Sequence, residues 1–335
     1  MLELAYPDIY FEPNYAKLYE TKDNKAVEYQ LDCEYGSITN LFLKRRINIP
    51  LEQENEYFDI ITPYGYGGPI IQSVNDKEKL IQAYQTDFEQ YTKKEHIITE
   101  FIRFHPLIEN ALDFKNVYFP IYDRKTVGTN LKFDNVIEKE FSPSKRKTIR
   151  KILKNKDIKY TIEEEPGSIE DFLPIYYSTM KRDKADEYYF FDVTYFKQLV
   201  EYFRHHLIVG KVYLGEKLIA MGIYFKYNSF LHAHLSGTLT DYLEYSPAYI
   251  LKYIMALYGH EKGYSVIHYG GGTSNSIDNS LYRFKREFGR NTQFDFYIAR
   301  KIWNQNVYKE LCDKTEVDPG ESFFPAYRIK DRVRT

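Results

Sequence analysis

Hydrophobic and polar positions recur with two periods along this chain, and the switches between them mark out strands and helices. Residues 158–165 alternate as a strand, and over 168–182 the apolar residues Phe172, Ile175, Tyr176 and Met180 fall at helical spacing. A second helix is expected over 193–205 on Phe196, Leu199, Val200 and Phe203. Three β runs follow, 207–214, 218–227 and 230–238, separated by Gly215-Glu216-Lys217 and Asn228-Ser229, which are hairpin-type turns. The next helix has a start and a stop. Ser246 reads as its N-cap, Pro247 suits its first position, Ile250, Leu251, Ile254, Met255 and Tyr258 make its stripe, and Gly263 closes it. Residues 265–269 read as a strand, 270–276 as a loop, 278–288 as a short helix and 292–302 as a final strand.

The first half carries the same kinds of element in a similar order. Strands are expected at 26–33, 37–47 and 57–62, a helix at 77–94, then strands at 97–103, 117–121 and 126–133. A strand-rich order with one helix crossing between two strands is an α+β pattern around a largely antiparallel sheet. The repetition lies in element order alone, without residue-level similarity between the halves. The alternating pattern stops near 134–143, where a charged, proline-containing stretch begins, so the division is expected between a domain of residues 1–140 and a second of 141–335.

Composition narrows the function classes. At 335 residues, with 43% hydrophobic and 28% charged positions, the chain is a globular protein large enough for two domains. The 46 basic and 48 acidic residues nearly cancel, so no global field draws the chain to nucleic acid or an anionic membrane, and any contact with a polyanion is local. The two cysteines, Cys33 and Cys312, offer neither a disulfide framework nor metal-ligand spacing. No apolar run approaches the roughly 18 residues of a spanning helix, and residues 1–8 lack a basic block followed by an apolar one, so a cytoplasmic location without an integral membrane segment is expected.

Four constellations can carry chemistry. Residues 142–156 hold seven basic side chains and no acidic one; on a helix Arg146, Arg150 and Lys154 align at i, i+4 and i+8, which suits a polyphosphate or an RNA backbone and equally a solvated linker. Pro63-Tyr64-Gly65-Tyr66-Gly67-Gly68-Pro69 follows a strand. It is either a turn built for packing or a place where amides meet an anion while Tyr64 and Tyr66 stack on a sugar or base beside Gly67. His268-Tyr269-Gly270-Gly271-Gly272 leads from a strand toward the helix Ser280-Leu281-Tyr282-Arg283-Phe284-Lys285, so backbone amides of Gly271 and Gly272, the Tyr269 side chain and the Lys285 ammonium can converge. His232 and His234, two apart on one strand, suit a base, a hydrogen-bonding lining or the start of a metal site, for which no third ligand is evident and no metal is expected. GxSxG, HExxH and CxxC are absent, which leaves hydrolase, zinc-protease and thioredoxin chemistry without support.

The 63–69 loop, the Arg146-to-Lys151 segment, the triple glycine, the 280–285 run and the closing Phe323-Phe324-Pro325-Ala326-Tyr327-Arg328 together resemble the FemABX family of peptidoglycan interpeptide-bridge aminoacyltransferases and GNAT-like acyltransferases. The resemblance implies two tandem GNAT-like domains and an N-acyltransferase. It would move an aminoacyl group from aminoacyl-tRNA to an amine of a nucleotide-sugar or lipid-linked cell-envelope precursor, with no bound cofactor. It also implies that Lys285, next to Phe284, stabilises the reacting acyl centre, and that Tyr64 or Tyr66 lies by the precursor. The long charged insertion that forms a coiled-coil arm in some members is missing. Acyl-CoA acting on an amino sugar is the alternative donor chemistry; that donor normally meets a glycine-rich turn before the crossover helix, where this chain has Leu243-Glu244-Tyr245-Ser246-Pro247-Ala248. A binding protein that has kept the fold without catalysis is a third reading.

Overall fold

The computed structural model describes residues 6–51, 55–184 and 190–330; residues 1–5, part of the stretch read above for a targeting block, lie outside them. In chain order its strands are β1 (Asn24–Cys33), β2 (Gly36–Arg46), β3 (Phe58–Ile61), β4 (Ile70–Val74), β5 (Ile97–Arg103), β6 (Ile121–Asn130), β7 (Ile158–Glu164), β8 (Leu207–Leu214), β9 (Lys217–Tyr227), β10 (Phe230–Thr238), β11 (Val266–Gly270) and β12 (Gln293–Ile302). They fall into two compact units, one of Met1–Asp123 with Phe296–Thr335 and one of Arg124–Asp295.

In the first unit β1 and β2 form a hairpin paired from Asn24 opposite Arg45 to Cys33 opposite Gly36. β2 also pairs antiparallel with β3 and β4, β3 lies parallel to β5, and residues 298–302 of β12 lie antiparallel to β5. A parallel pair needs a crossover, and the helix Lys77–Lys94 supplies it. The Asp76 carboxylate caps that helix at the Lys79 amide, and Leu80, Tyr84, Phe88 and Thr92, four residues apart, are its buried face. A buried aspartate ties in the chain's end: Asp59 accepts from Arg45 at 2.6 Å, from the Tyr327 hydroxyl at 3.2 Å, and from Arg328.

In the second unit β7, β8, β9 and β10 are antiparallel neighbours, β11 lies parallel to β10, and β6 lies antiparallel to β11. The crossover helix Pro247–Glu261 joins β10 to β11 and buries Ile250, Leu251, Ile254 and Met255 in a core shared with Ile208, Val212, Ile219 and Tyr224 of the sheet. Pro247 opens it as expected, but Ser246 has a left-handed backbone and its side chain caps nothing.

The α+β class and the second-half element order are as the periodicity predicts. Three expectations differ. The strand expected at 117–121 is instead the end of two helical turns, Asn110–Asp113 and Lys115–Tyr118, because Ala111, Phe114, Val117 and Tyr118 are buried at helical rather than alternating spacing. β4 and the helix Gln305–Thr315 were not expected at all. The units also divide the chain differently from 1–140 and 141–335. Residues 127–130 of β6 pair with β11 and go with the second unit, whereas the end of β12 pairs with β5 and returns to the first.

Candidate active site

The second unit's sheet opens where β10 and β11 part. Their parallel register runs from Phe230 opposite Val266 to His232 opposite His268 and stops there, although β10 continues to Thr238. Beyond that point β10 holds only to β9, and β11 holds to β6 through Gly270 opposite Val127. Tyr269 and the glycines after it lie at this parting.

Three cations gather around that loop. Lys285, half-buried on the helix Ser280–Arg286, donates to the Gly271 carbonyl at 2.6 Å. Arg124, on β6, donates to the Gly272 carbonyl at 2.9 Å. Lys252 of the crossover helix, only 7% exposed, sets its ammonium 3.9 Å from the centroid of the Tyr269 ring, a cation–π contact. The Tyr269 hydroxyl bonds instead with Thr129 Oγ1 at 2.7 Å, and Thr129 donates to the Phe288 carbonyl. Asn279 fixes the remainder of the loop: its Oδ1 accepts from the Tyr282 and Thr273 amides, and its Nδ2 donates to the Thr273 and Ser274 hydroxyls. The glycine carbonyls therefore face the cations, so Lys285 sits on Gly271 oxygen rather than beside the loop amides as expected.

Burial and like charge act together here. Burial, with a smaller effect from the Arg124 charge, pushes the Lys285 ammonium down to about 8; burial and the Lys285 charge push Lys252 down to about 7. Among the described residues neither lysine forms an ion pair with a carboxylate. Burial disfavours charge of either sign, whereas the clustered positive charge favours a negative group, such as the oxygen of an acyl group under attack.

The other predicted residues divide. Phe284 packs on Tyr249 and Phe288, with centroids 6.1 and 5.3 Å away, and supports the helix that carries Lys285. The basic segment forms the helix Pro143–Ile152, capped by Ser142, with Ile149 buried. Arg146 on it is ion-paired with Glu138 and also donates to the Glu138 carbonyl, so it is committed within the fold, whereas Lys147, Arg150, Lys151 and Lys154 are exposed. His232 and His234 go to different neighbours. The His232 ring meets His268 at 5.8 Å; His234 Nε2 and the Tyr195 hydroxyl share a 2.6 Å hydrogen bond. Burial, helped by charge at His232, pushes His234 down to about 3, which keeps it neutral.

Tyr64, Tyr66 and Gly67 belong to the first unit, where the loop is held from several sides. Arg103 donates to the Thr62 and Pro63 carbonyls at 2.6 and 2.7 Å, Tyr15 donates to the Tyr64 carbonyl at 2.8 Å, and Asn110 donates to the Gly67 carbonyl at 2.9 Å. Gly68 has φ +88°, and a Cβ there would meet Ile102 Cγ2 at 2.8 Å, so only glycine fits. Tyr66 is 9% exposed, edge-on to Tyr10, His105 and Phe296, while Tyr64 is half-buried with its ring 6.0 Å from Tyr19. Tyr66 is thus a packing residue first, and Tyr64 the more accessible of the two.

Lys252 escaped the motif reading. Its signal was a single lysine inside Pro-Ala-Tyr-Ile-Leu-Lys-Tyr-Ile-Met-Ala-Leu, an otherwise apolar and aromatic helical run.

Residues 141–286 match the acetyltransferase (GNAT) domain family. This segment is therefore similar to GNAT acyltransferase domains. It includes the whole loop from Tyr269 to Gly272 together with Lys252 and Lys285. Among solved structures, FemX shares the fold with a TM-score of 0.66 at 14% identity, over 90% of this chain and 94% of that one. The C-terminal domain of a candidate lysylphosphatidylglycerol synthetase from Agrobacterium fabrum gives 0.53 at 11%, over 84% and 85%. A tandem GNAT protein from the clavulanic acid biosynthesis pathway gives 0.50 at 8%, over 84% and 85%. None of the curated proteins compared matches the chain. The resemblance to FemABX and GNAT-like acyltransferases, and the tandem GNAT-like α+β fold it implied, are borne out. Among the described residues no helix is long and apolar enough to cross a membrane.

Proposed function

We propose that this GNAT-type acyltransferase moves an aminoacyl group from aminoacyl-tRNA to an amine on a cell-envelope precursor. The observation that carries the reading is the Lys285 ammonium held 2.6 Å from the Gly271 carbonyl at the parting of β10 and β11. In that position it can meet the acyl oxygen as negative charge develops there. The attacking amine forms the new bond to the acyl carbon, the carbonyl electrons move to oxygen beside Lys285, and collapse of the tetrahedral intermediate expels the ribose oxygen. Lys285 keeps hydrogens to spare while bonded to Gly271. The structural likeness to FemX and to a lysylphosphatidylglycerol synthetase domain supports an envelope-directed acceptor, soluble or lipid-linked.

A feature of the β10-to-helix turn favours tRNA over acyl-CoA. Thr240–Tyr245 is a 3-10 helix, and the amides of Tyr242, Ser246 and Tyr249 bond to carbonyls of Leu239, Leu243 and Ser246. Pro247 carries no amide hydrogen. Those amides are engaged rather than free to cradle a pyrophosphate. Purified protein incubated with labelled aminoacyl-tRNA and with acetyl-CoA, side by side, tests the choice using a nucleotide-linked muropeptide precursor and an amino-sugar acceptor. Ribonuclease-sensitive transfer is expected; release of free CoA instead would establish the alternative donor.

A further inference from the structure

Lys252 is the most deeply buried lysine among the described residues. Its neighbours along the helix are apolar, and Ile250, Leu251, Ile254 and Met255 fill the core without help from a charge. A buried ammonium without an acceptor is costly, and the site provides only a ring face. The Tyr269 oxygen is turned to Thr129, so no oxygen accepts from Lys252 among the described residues. Lys285 is the charged group that acts on it. Tyr269, from β11, faces it with its ring, and burial keeps the proton on the Tyr269 hydroxyl, so the ring brings no charge; Arg124, Tyr224 and Glu140 act on Lys285 or Tyr269 rather than on Lys252. By pushing Lys252 down to about 7, these surroundings leave a sizeable share of its nitrogens with a lone pair near neutrality.

Transfer needs such a group, because an acceptor ammonium must first release one proton to water to free its lone pair, and the nitrogen must lose a second one as it becomes an amide. We propose that Lys252 is the base of the transfer reaction, receiving on Nζ the proton released by the attacking amine while Lys285 holds the acyl oxygen. This rests on the acyl-transfer reading above. The amine lone pair forms the N–C bond, the carbonyl π pair moves onto oxygen, and the N–H pair stays on nitrogen as the proton passes to Lys252. Collapse restores the carbonyl and breaks the ester C–O bond, and the departing ribose oxygen takes that proton back, so the protein ends as it began. The negative oxygen offsets the Lys285 charge at the moment Lys252 becomes an ammonium, so the two events assist each other.

Two measurements on the full chain test this. With 15N-labelled lysine, Lys252 Nζ should titrate near neutrality, where burial and Lys285 place it at about 7, and should move upward in Lys285→Met. In single turnovers with labelled aminoacyl-tRNA, the wild-type rate should rise about tenfold per pH unit below neutrality and level off above it. Lys252→Met and Lys252→Arg should each be slower by at least about a hundredfold and lose that rise, and methylamine should restore part of the rate to Lys252→Ala. A Lys252 Nζ that titrates like an ordinary lysine, or a folded Lys252→Met that keeps both rate and pH rise, overturns the base role and leaves acyl transfer standing. A wild-type protein that transfers from no donor overturns acyl transfer itself, and the base role with it.

Discussion

On the proposed mechanism, Lys285 is the side chain that bears most on activity. A surface lysine in a short helix contributes a few tenths of a kcal/mol to stability and nothing to rate, whereas a donor aimed at a developing oxyanion is worth about 2.7 to 4 kcal/mol of barrier. Lys285→Ala should therefore keep the melting temperature within a few degrees and acceptor binding unchanged, while single-turnover transfer falls about a hundredfold to a thousandfold. His234 gives a prediction about stability instead. Its folded-state value of about 3 lies below that of a free histidine, 6.5, so the unfolded chain binds the extra proton between those limits. The stability present above pH 6.5 is lost as pH falls toward 3. Urea unfolding of His234→Phe should show a shallower decline over that range than wild type; parallel declines would mean that other groups carry the acid sensitivity.

At the scale of elements, the basic helix Pro143–Ile152 is part of the fold and also offers a charged face. Lys145 lies over the Tyr249 ring at 4.8 Å, and Ser142 bonds to Glu287 at 2.5 Å, which fastens the helix to the element that carries Lys285. Arg146 is spoken for by Glu138, leaving Lys147, Arg150, Lys151 and Lys154 outward. If that face follows a tRNA backbone, Arg150→Glu should weaken tRNA binding several-fold and lower the steepness of its salt dependence by about one phosphate contact or more, while Arg146→Gln acts mainly on stability. Binding measured against salt concentration decides it, since an unchanged slope returns the face to simple solvation. The helix as an element was legible from the alignment of Arg146, Arg150 and Lys154 at i, i+4 and i+8. The commitment of Arg146 was not, because its partner is set by the neighbouring turn Val136–Glu140 and not by helical periodicity.

For the whole molecule, the path of the chain through its two units has a consequence. The unit Arg124–Asp295 is continuous, whereas the first is closed by the chain's end. β12 pairs with β5, Trp303 donates to the buried Glu100 at 3.1 Å, and Tyr327 and Arg328 reach Asp59. Truncation after Asp295 removes all of these and leaves Asp59 with Arg45 alone. Amide exchange should then show lost protection in β3 and β5 while β8, β9 and β10 stay protected. Protection retained in β5 would mean that the closing segment is dispensable.

The sequence by itself determined the class of fold, most strands and helices of the GNAT domain, and the neighbourhood of Tyr269, Gly271, Gly272 and Lys285. These depend on local periodicity and on a loop and helix only a few residues apart, so the chain itself keeps them together. Tertiary structure alone decided what depends on distant partners. The division between units follows from which strand β6 and β12 pair with, and pairing partners leave no period in the sequence. The direction of the glycine carbonyls toward cations follows from Arg124, almost 150 residues upstream of the loop it binds. The burial of Lys252 was the deepest of these: an apolar helical run with one lysine reads as a stripe with one exposed charge until the sheet beneath it is in place. Only when the Tyr269 ring lies against that position, with the Lys285 charge acting on it, does a charge that water would solvate become a nitrogen short of an acceptor.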